Sequence, residues 1–82
     1  MFHKVKNVEA LENFVLKVWF IDGNVKLYDV KGLMNRWKIF ESLKDESLFK
    51  KVKVDQGGYG IIWNDELDLA CDELWEHGHE DS

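Results

Sequence analysis

Residues 14–28 are written in the period of a β-strand, and no other stretch restricts the fold so tightly. Phe14, Leu16, Val18 and Phe20 alternate with Val15, Lys17, Trp19 and Ile21. Successive strand residues point to opposite faces, so one set packs inward while the other looks out. Asp22-Gly23-Asn24 supplies residues that tolerate positive φ, and Val25, Lys26, Leu27 and Tyr28 resume the strand type. A β-hairpin is predicted, with a core face of Phe14, Leu16, Val18, Phe20, Val25 and Leu27. The opposite face would carry Val15, Lys17, Trp19, Lys26 and Tyr28.

Around this hairpin the remaining elements are short. Residues 2–8 mix apolar and basic side chains and read as a strand. Asp29 is placed to cap a helix whose stripe is Val30, Leu33, Met34 and Trp37, at i, i+3, i+4 and i+7. Phe40 and Leu43 continue a second short helical turn, and Asp45 caps a third over residues 46–50 with Leu48 and Phe49 inward. Val52 and Val54 alternate with Lys51, Lys53 and Asp55 as a half-buried strand. A turn over residues 56–60 lets residues 61–63 pair back. Leu67 and Leu69 flank Asp68 in another strand, and residues 72–76 form a terminal helical turn using Leu74 and Trp75. Residues 77–82 are expected to fray as an acidic tail. The order β-β-β-α-α-β-β-α with short turns defines an α+β fold, a small antiparallel sheet with helices on one face. With 82 residues, no proline, no linker and no repeat, a single domain over residues 1–82 is expected.

Composition narrows the class. Eleven aromatics and 45% apolar residues argue against disorder. The longest apolar run is Val18, Trp19, Phe20 and Ile21, far short of a membrane span. Met1-Phe2-His3-Lys4 opens no signal-peptide core, and the single Cys71 has no partner for an intrachain disulfide. A cytoplasmic location is expected. The net charge of −5 is unevenly spread: all 11 Lys and Arg lie in residues 1–63, whereas residues 64–82 carry 8 Asp and Glu. A basic body with an acidic end points to a basic partner or to self-screening.

The constellation with most chemistry is the outward hairpin face. Trp19 and Tyr28 interleaved with Lys17 and Lys26 could stack bases and neutralise phosphates, with Lys51 and Lys53 adding charge. The same rings could anchor a protein interface built on Val15, Trp19 and Tyr28, with Asp65 and Glu66 selecting a basic partner. The overall negative charge disfavours nucleic acid. His77-Gly78-His79 offers metal donors without a rigid support. Cys71 and His77 lie six residues apart, on different sides of a helix, and Cys71 is expected to be a buried, inert filler. Gly57-Gly58-Tyr59-Gly60 lacks the Lys-Ser/Thr and helix of a phosphate loop. The acids at 65, 66, 68, 72 and 73 do not have the spacing of a calcium loop. No catalytic residue, cofactor or metal is expected from these patterns.

Phe20-Ile21-Asp22-Gly23, Asp29-Val30, Phe40-Glu41-Ser42-Leu43 with Phe49, Trp63, and Asp68-Leu69-Ala70-Cys71-Asp72-Glu73-Leu74-Trp75 follow one another in an order that resembles the bacterial family catalogued as domain of unknown function 2442. The resemblance spans nearly the whole chain. It implies a fold similar to the N-terminal domain of an uncharacterised bacterial protein in which a helix-turn-helix domain follows. Family genes often sit beside those of another small uncharacterised family, in arrangements resembling toxin–antitoxin pairs, which implies binding to a co-encoded protein. The family has no established catalytic residues. Many members carry Pro and Gly after the tryptophan, where this chain has Asn64-Asp65-Glu66, a change of turn. The expectation is a non-enzymatic macromolecule-binding module, antitoxin-like or regulatory. The alternatives are single-stranded nucleic-acid binding and a homodimer formed through a β edge and the aromatic face.

Overall fold

The computed structural model describes residues 3–80. Within them seven strands form two antiparallel sheets. The four-stranded sheet has the order β1-β2-β3-β7, with β1 at Val5–Ala10, β2 at Val15–Phe20, β3 at Val25–Asp29 and β7 at His79–Glu80. The three-stranded sheet has the order β4-β5-β6, with β4 at Lys53–Val54, β5 at Gly60–Asn64 and β6 at Leu67–Ala70. Helices α1 (Lys31–Arg36), α2 (Glu46–Phe49) and α3 (Cys71–His77) complete the chain, with 3-10 turns at Glu12–Phe14 and Lys38–Lys44. The fold is α+β, with two small sheets where one was expected. His79–Glu80, expected to fray, instead pairs with β3 at Leu27 and Lys26. Residues 81 and 82 of the predicted tail, and residue 2 of the predicted first strand, lie outside the described residues.

The hairpin turns on a count. Phe20 N–H donates to the Asn24 carbonyl at 2.8 Å, and Gly23 N–H to the Phe20 carbonyl at 3.0 Å. Gly23 has φ +97°, a conformation glycine adopts without steric cost. The connection is therefore three residues, 21–23, and an odd loop pairs even-numbered positions with even ones: Leu16 with Tyr28, Val18 with Lys26. Each strand alternates as expected, but the second strand faces the other way. Tyr28 and Lys26 lie on the core side, and Val25 and Leu27, predicted inside, lie on the outer side. Asp22 fixes the tip by accepting from Asn24 N–H at 3.0 Å, which holds its carboxyl below the usual carboxylate range.

Strand β2 begins at Val15 because Phe14 departs from extended geometry. Asn13 and Phe14 have φ of 60° and 59°, a region that bulky residues rarely enter. Phe14 is held there by an edge contact with Phe49, centroids 5.2 Å apart, and by the Val30 N–H donating to its carbonyl at 3.0 Å.

One hydrophobic core spans both sheets. Leu16, Val18, Phe20, Val30, Leu43, Ile61, Cys71 and Leu74 are enclosed, joined by Tyr28, Phe49, Trp63, Leu67 and Leu69. The predicted caps appear: Asp29 Oδ1 accepts from Lys31 N–H at 2.9 Å, and Asp45 Oδ1 from Ser47 N–H at 3.0 Å. In α1 the stripe holds for Val30, Leu33 and Met34 and then fails. The helix ends at Arg36, Trp37 turns extended (φ −127°, ψ 117°), and its indole is 55% exposed. The two sheets are joined at β1, where Val5 N–H donates to the Gly58 carbonyl at 2.8 Å.

Gly32 lies inside α1, and a Cβ built on it meets no atom within 4 Å. Gly32→Ala is therefore expected to stabilise the fold by about 0.5–1 kcal/mol through chain entropy and helix propensity. A urea midpoint moved upward with unchanged slope checks it.

Candidate functional site

The outer face of the four-stranded sheet is built from alternate residues of three strands. Trp19 stands between Asn7 and Val25, Lys17 between Glu9 and Leu27, and Val15 opposite Asp29. A bulge between Val5 and Asn7 lets Val5 stay in the core while Asn7 faces out. Val15, Trp19, Val25 and Leu27 are all half-buried, and none belongs to the core or packs against it. Lys17 lies over part of this face, its ammonium 5.1 Å from the Trp19 ring centroid, within cation–π range. Four apolar side chains thus share a sheet face with the helices elsewhere.

The residues proposed from sequence separate. Val15, Lys17 and Trp19 sit together as expected. Tyr28 and Lys26 do not join them, because the three-residue loop turns them inward. Tyr28 is 4% exposed, and its hydroxyl donates to Glu73 Oε2 at 2.8 Å. Burial first, then that hydrogen bond and the Glu73 charge, push its phenol well above the ordinary tyrosine range. Lys26 donates to the Trp75 carbonyl at 2.6 Å, with its ammonium 4.1 Å from the indole centroid. His3 stacks on the same indole, centroids 3.6 Å apart and planes 2° from parallel, and Phe20 meets it edge-on at 5.0 Å. Lys26 therefore helps clamp α3 to the sheet, on the face opposite Lys17 and Trp19. Lys51 and Lys53 belong to the turn before β4 and to β4 itself, in the second sheet. Asp65 and Glu66 form the β5–β6 turn, where Asn64 Oδ1 accepts from Glu66 and Leu67 N–H at 2.9 and 3.0 Å. They too lie on the other sheet. The six-residue Lys/aromatic face is reduced to Lys17 and Trp19.

Two features escape a reading of the sequence. The first is the chain Tyr28–Glu73–His77, in which His77 Nδ1 lies 3.2 Å from the oxygen that accepts from Tyr28. The i, i+4 spacing of Glu73 and His77 is a usable signal; Tyr28, 45 residues away, is not. The second is a cleft of about 350 Å³ beside it, lined by Tyr28, Leu33, Arg36, Trp37, Glu73 and His77 among others. Cys71 is buried, its thiol raised by burial and next by the charge of Asp72. Among the described residues no group of three or more His, Cys, Asp or Glu is placed to hold a metal ion. Nor is any helix there long and apolar enough to cross a membrane.

The architecture defines a small α+β protein of two antiparallel sheets around a common core, with one sheet face left outside it. Residues 5–80 match the family described as protein of unknown function (DUF2442), and the chain belongs to that family. No curated protein and no solved structure matches it.

Proposed function

We propose that this chain is a non-enzymatic binding module of the bacterial cytoplasm. It docks a small co-encoded protein on the outer face of its four-stranded sheet, as the antitoxin-like or regulatory member of a pair. The observation that carries this reading is the row Val15, Trp19, Val25 and Leu27, apolar side chains on a sheet face outside the core. Burying an exposed side chain of this kind completely is worth about 1.5–3 kcal/mol, and these four, already half-buried, would each add only the remaining part of that to docking. Trp19 is the natural anchor, because tryptophan dominates interface energetics where it is fully desolvated. The 8 acids of residues 64–82 steer a basic partner toward the molecule at long range without touching it.

The test is a calorimetric titration of the co-encoded neighbour into wild type and Trp19→Ala. The substitution is expected to weaken binding at least tenfold, about 1.4 kcal/mol. Because Trp19 lies outside the core, the far-ultraviolet circular dichroism should not change. Equal affinity for the two proteins would remove the outer face from the account. Tight binding of labelled single-stranded RNA that falls steeply with salt would replace a protein partner with nucleic acid.

A further inference from the structure

The cleft beside Tyr28 lies between two segments of opposite net charge, with Arg36 and Trp37 lining it from one and Glu73, His77 and His79 from the other. One is α1 with the residues after it: residues 31–44 carry Lys31, Arg36, Lys38 and Lys44 against a single acid, Glu41. The other is α3 with β7: residues 72–80 carry Asp72, Glu73, Glu76 and Glu80 with no Lys or Arg. Arg36, Lys38, Glu76 and Glu80 are exposed, and none makes an ion pair among the described residues. Glu73 is already engaged by Tyr28 and His77, and Asp29 by Lys31 at 3.0 Å. On the basic segment stand two exposed apolar side chains, Trp37 at 55% and Ile39 at 53%. Leu33 gives the cleft an apolar wall.

A surface with a basic ridge and an acidic ridge on either side of a groove is complementary to itself under a two-fold rotation. We infer that a second copy of this chain docks here, with the two-fold axis running through the cleft. Each Trp37 enters the cleft of the other copy against Leu33. Arg36 and Lys38 of each copy face Glu76 and Glu80 of the other. A tryptophan flanked by arginine is the composition of an energetic centre, and opposed charges fix the register. This interface is centred on α1, α3 and β7, the strand that pairs with β3, whereas Val15 and Trp19 lie on β2. The dimer is anchored by Trp37 and the partner proposed above by Trp19, so the two readings are tested by different substitutions.

Sedimentation equilibrium of the full chain over a dilution series tests the dimer. The mass should rise from 9.7 kDa toward twice that value as concentration increases, and less readily at high salt. Trp37→Ala, Arg36→Glu and Glu76→Arg should each weaken association at least tenfold while circular dichroism shows an intact fold. Arg36→Glu and Glu76→Arg are each repelled by their own kind. Mixed in equal amounts they should form a heterodimer. The acid introduced at position 36 of one variant then meets the base introduced at position 76 of the other, and at the second contact the native Arg36 and Glu76 still pair. A wild-type protein that stays monomeric at every concentration would overturn the dimer. So would dimers indifferent to all three substitutions, or variants that fail to associate on mixing. Loss of the dimer on Trp19→Ala alone would move the contact to the outer sheet face and equally overturn this one.

Discussion

Trp63→Ala is expected to remove about 3–5 kcal/mol of stability, the usual cost of deleting a buried tryptophan side chain. Trp63 is 5% exposed in the middle of β5, and its indole N–H donates to the Phe49 carbonyl at 3.1 Å. Phe49 is the last residue of α2, where carbonyls lose their helical partners. The indole thus fills the core and finishes a helix in one group. A domain of this size holds roughly 4–12 kcal/mol in total, so the alanine variant retains a small fraction of its stability or none. A thermal melt should show the midpoint falling by about 15–30 °C, if the variant folds at all. Trp63→Phe separates the two contributions: it keeps most of the ring volume and loses the hydrogen bond, for a smaller cost of about 1 kcal/mol plus the repacking. An alanine variant as stable as wild type would mean that Trp63 is not the post joining α2 to the second sheet.

Tyr28→Phe gives the second effect, and it carries a pH signature. The hydroxyl donates to a carboxylate, and hydrogen bonds to charged groups contribute about 1.5–3 kcal/mol. The lower end is expected here, because Glu73 is partly exposed and keeps His77 as a neighbour. The folded phenol holds its proton more tightly than the unfolded one, whose pKa is near 10. Above that pH the unfolded chain loses the proton first, so the stability due to this group is complete below about pH 10 and declines as pH rises further. Lysines also titrate in that range, which makes the Tyr28→Phe protein the necessary reference. Wild type should be more stable than the variant at pH 7, and the gap should close as denaturation is repeated at increasing alkalinity. A constant gap would show that Tyr28 acts by packing alone.

What can be read in advance is whatever depends on neighbours in sequence. The alternation through β2 and the Asp-Gly-Asn corner announce the hairpin, and Asp29 and Asp45 announce two helix starts; all of these are local chemistry. The family is legible because its motifs are spread in order along the chain. The outward site is half legible. Val15, Lys17 and Trp19 follow from the period of one strand, but their partners across the hairpin depend on whether the connection is two residues or three. Asp22-Gly23-Asn24 permits either, and that single residue exchanges Val25 and Leu27 for Lys26 and Tyr28. Tyr28 and Lys26 resemble surface residues because their partners, Glu73 and Trp75, arrive from α3 far along the chain. Trp37 resembles core because the stripe continues on paper one residue beyond the point where α1 stops. The split into two sheets and the pairing of His79–Glu80 with β3 depend on tertiary contacts that no local pattern encodes.

The tip at residues 21–23 has a consequence for how such a chain can diverge. Identity is cheap to alter at Ile21, whose side chain faces solvent, while Asp22 and the glycine at the end of the corner are what the turn demands. Length is not. One inserted or deleted residue would swing a lysine and a phenol out from beneath α3 and pull two aliphatic side chains inward, dismantling the clamp and remaking the outer sheet face at a stroke. Lineages of this fold should therefore accept substitutions at Ile21 and resist indels, so that spacing, more than spelling, carries the heritable information at that corner.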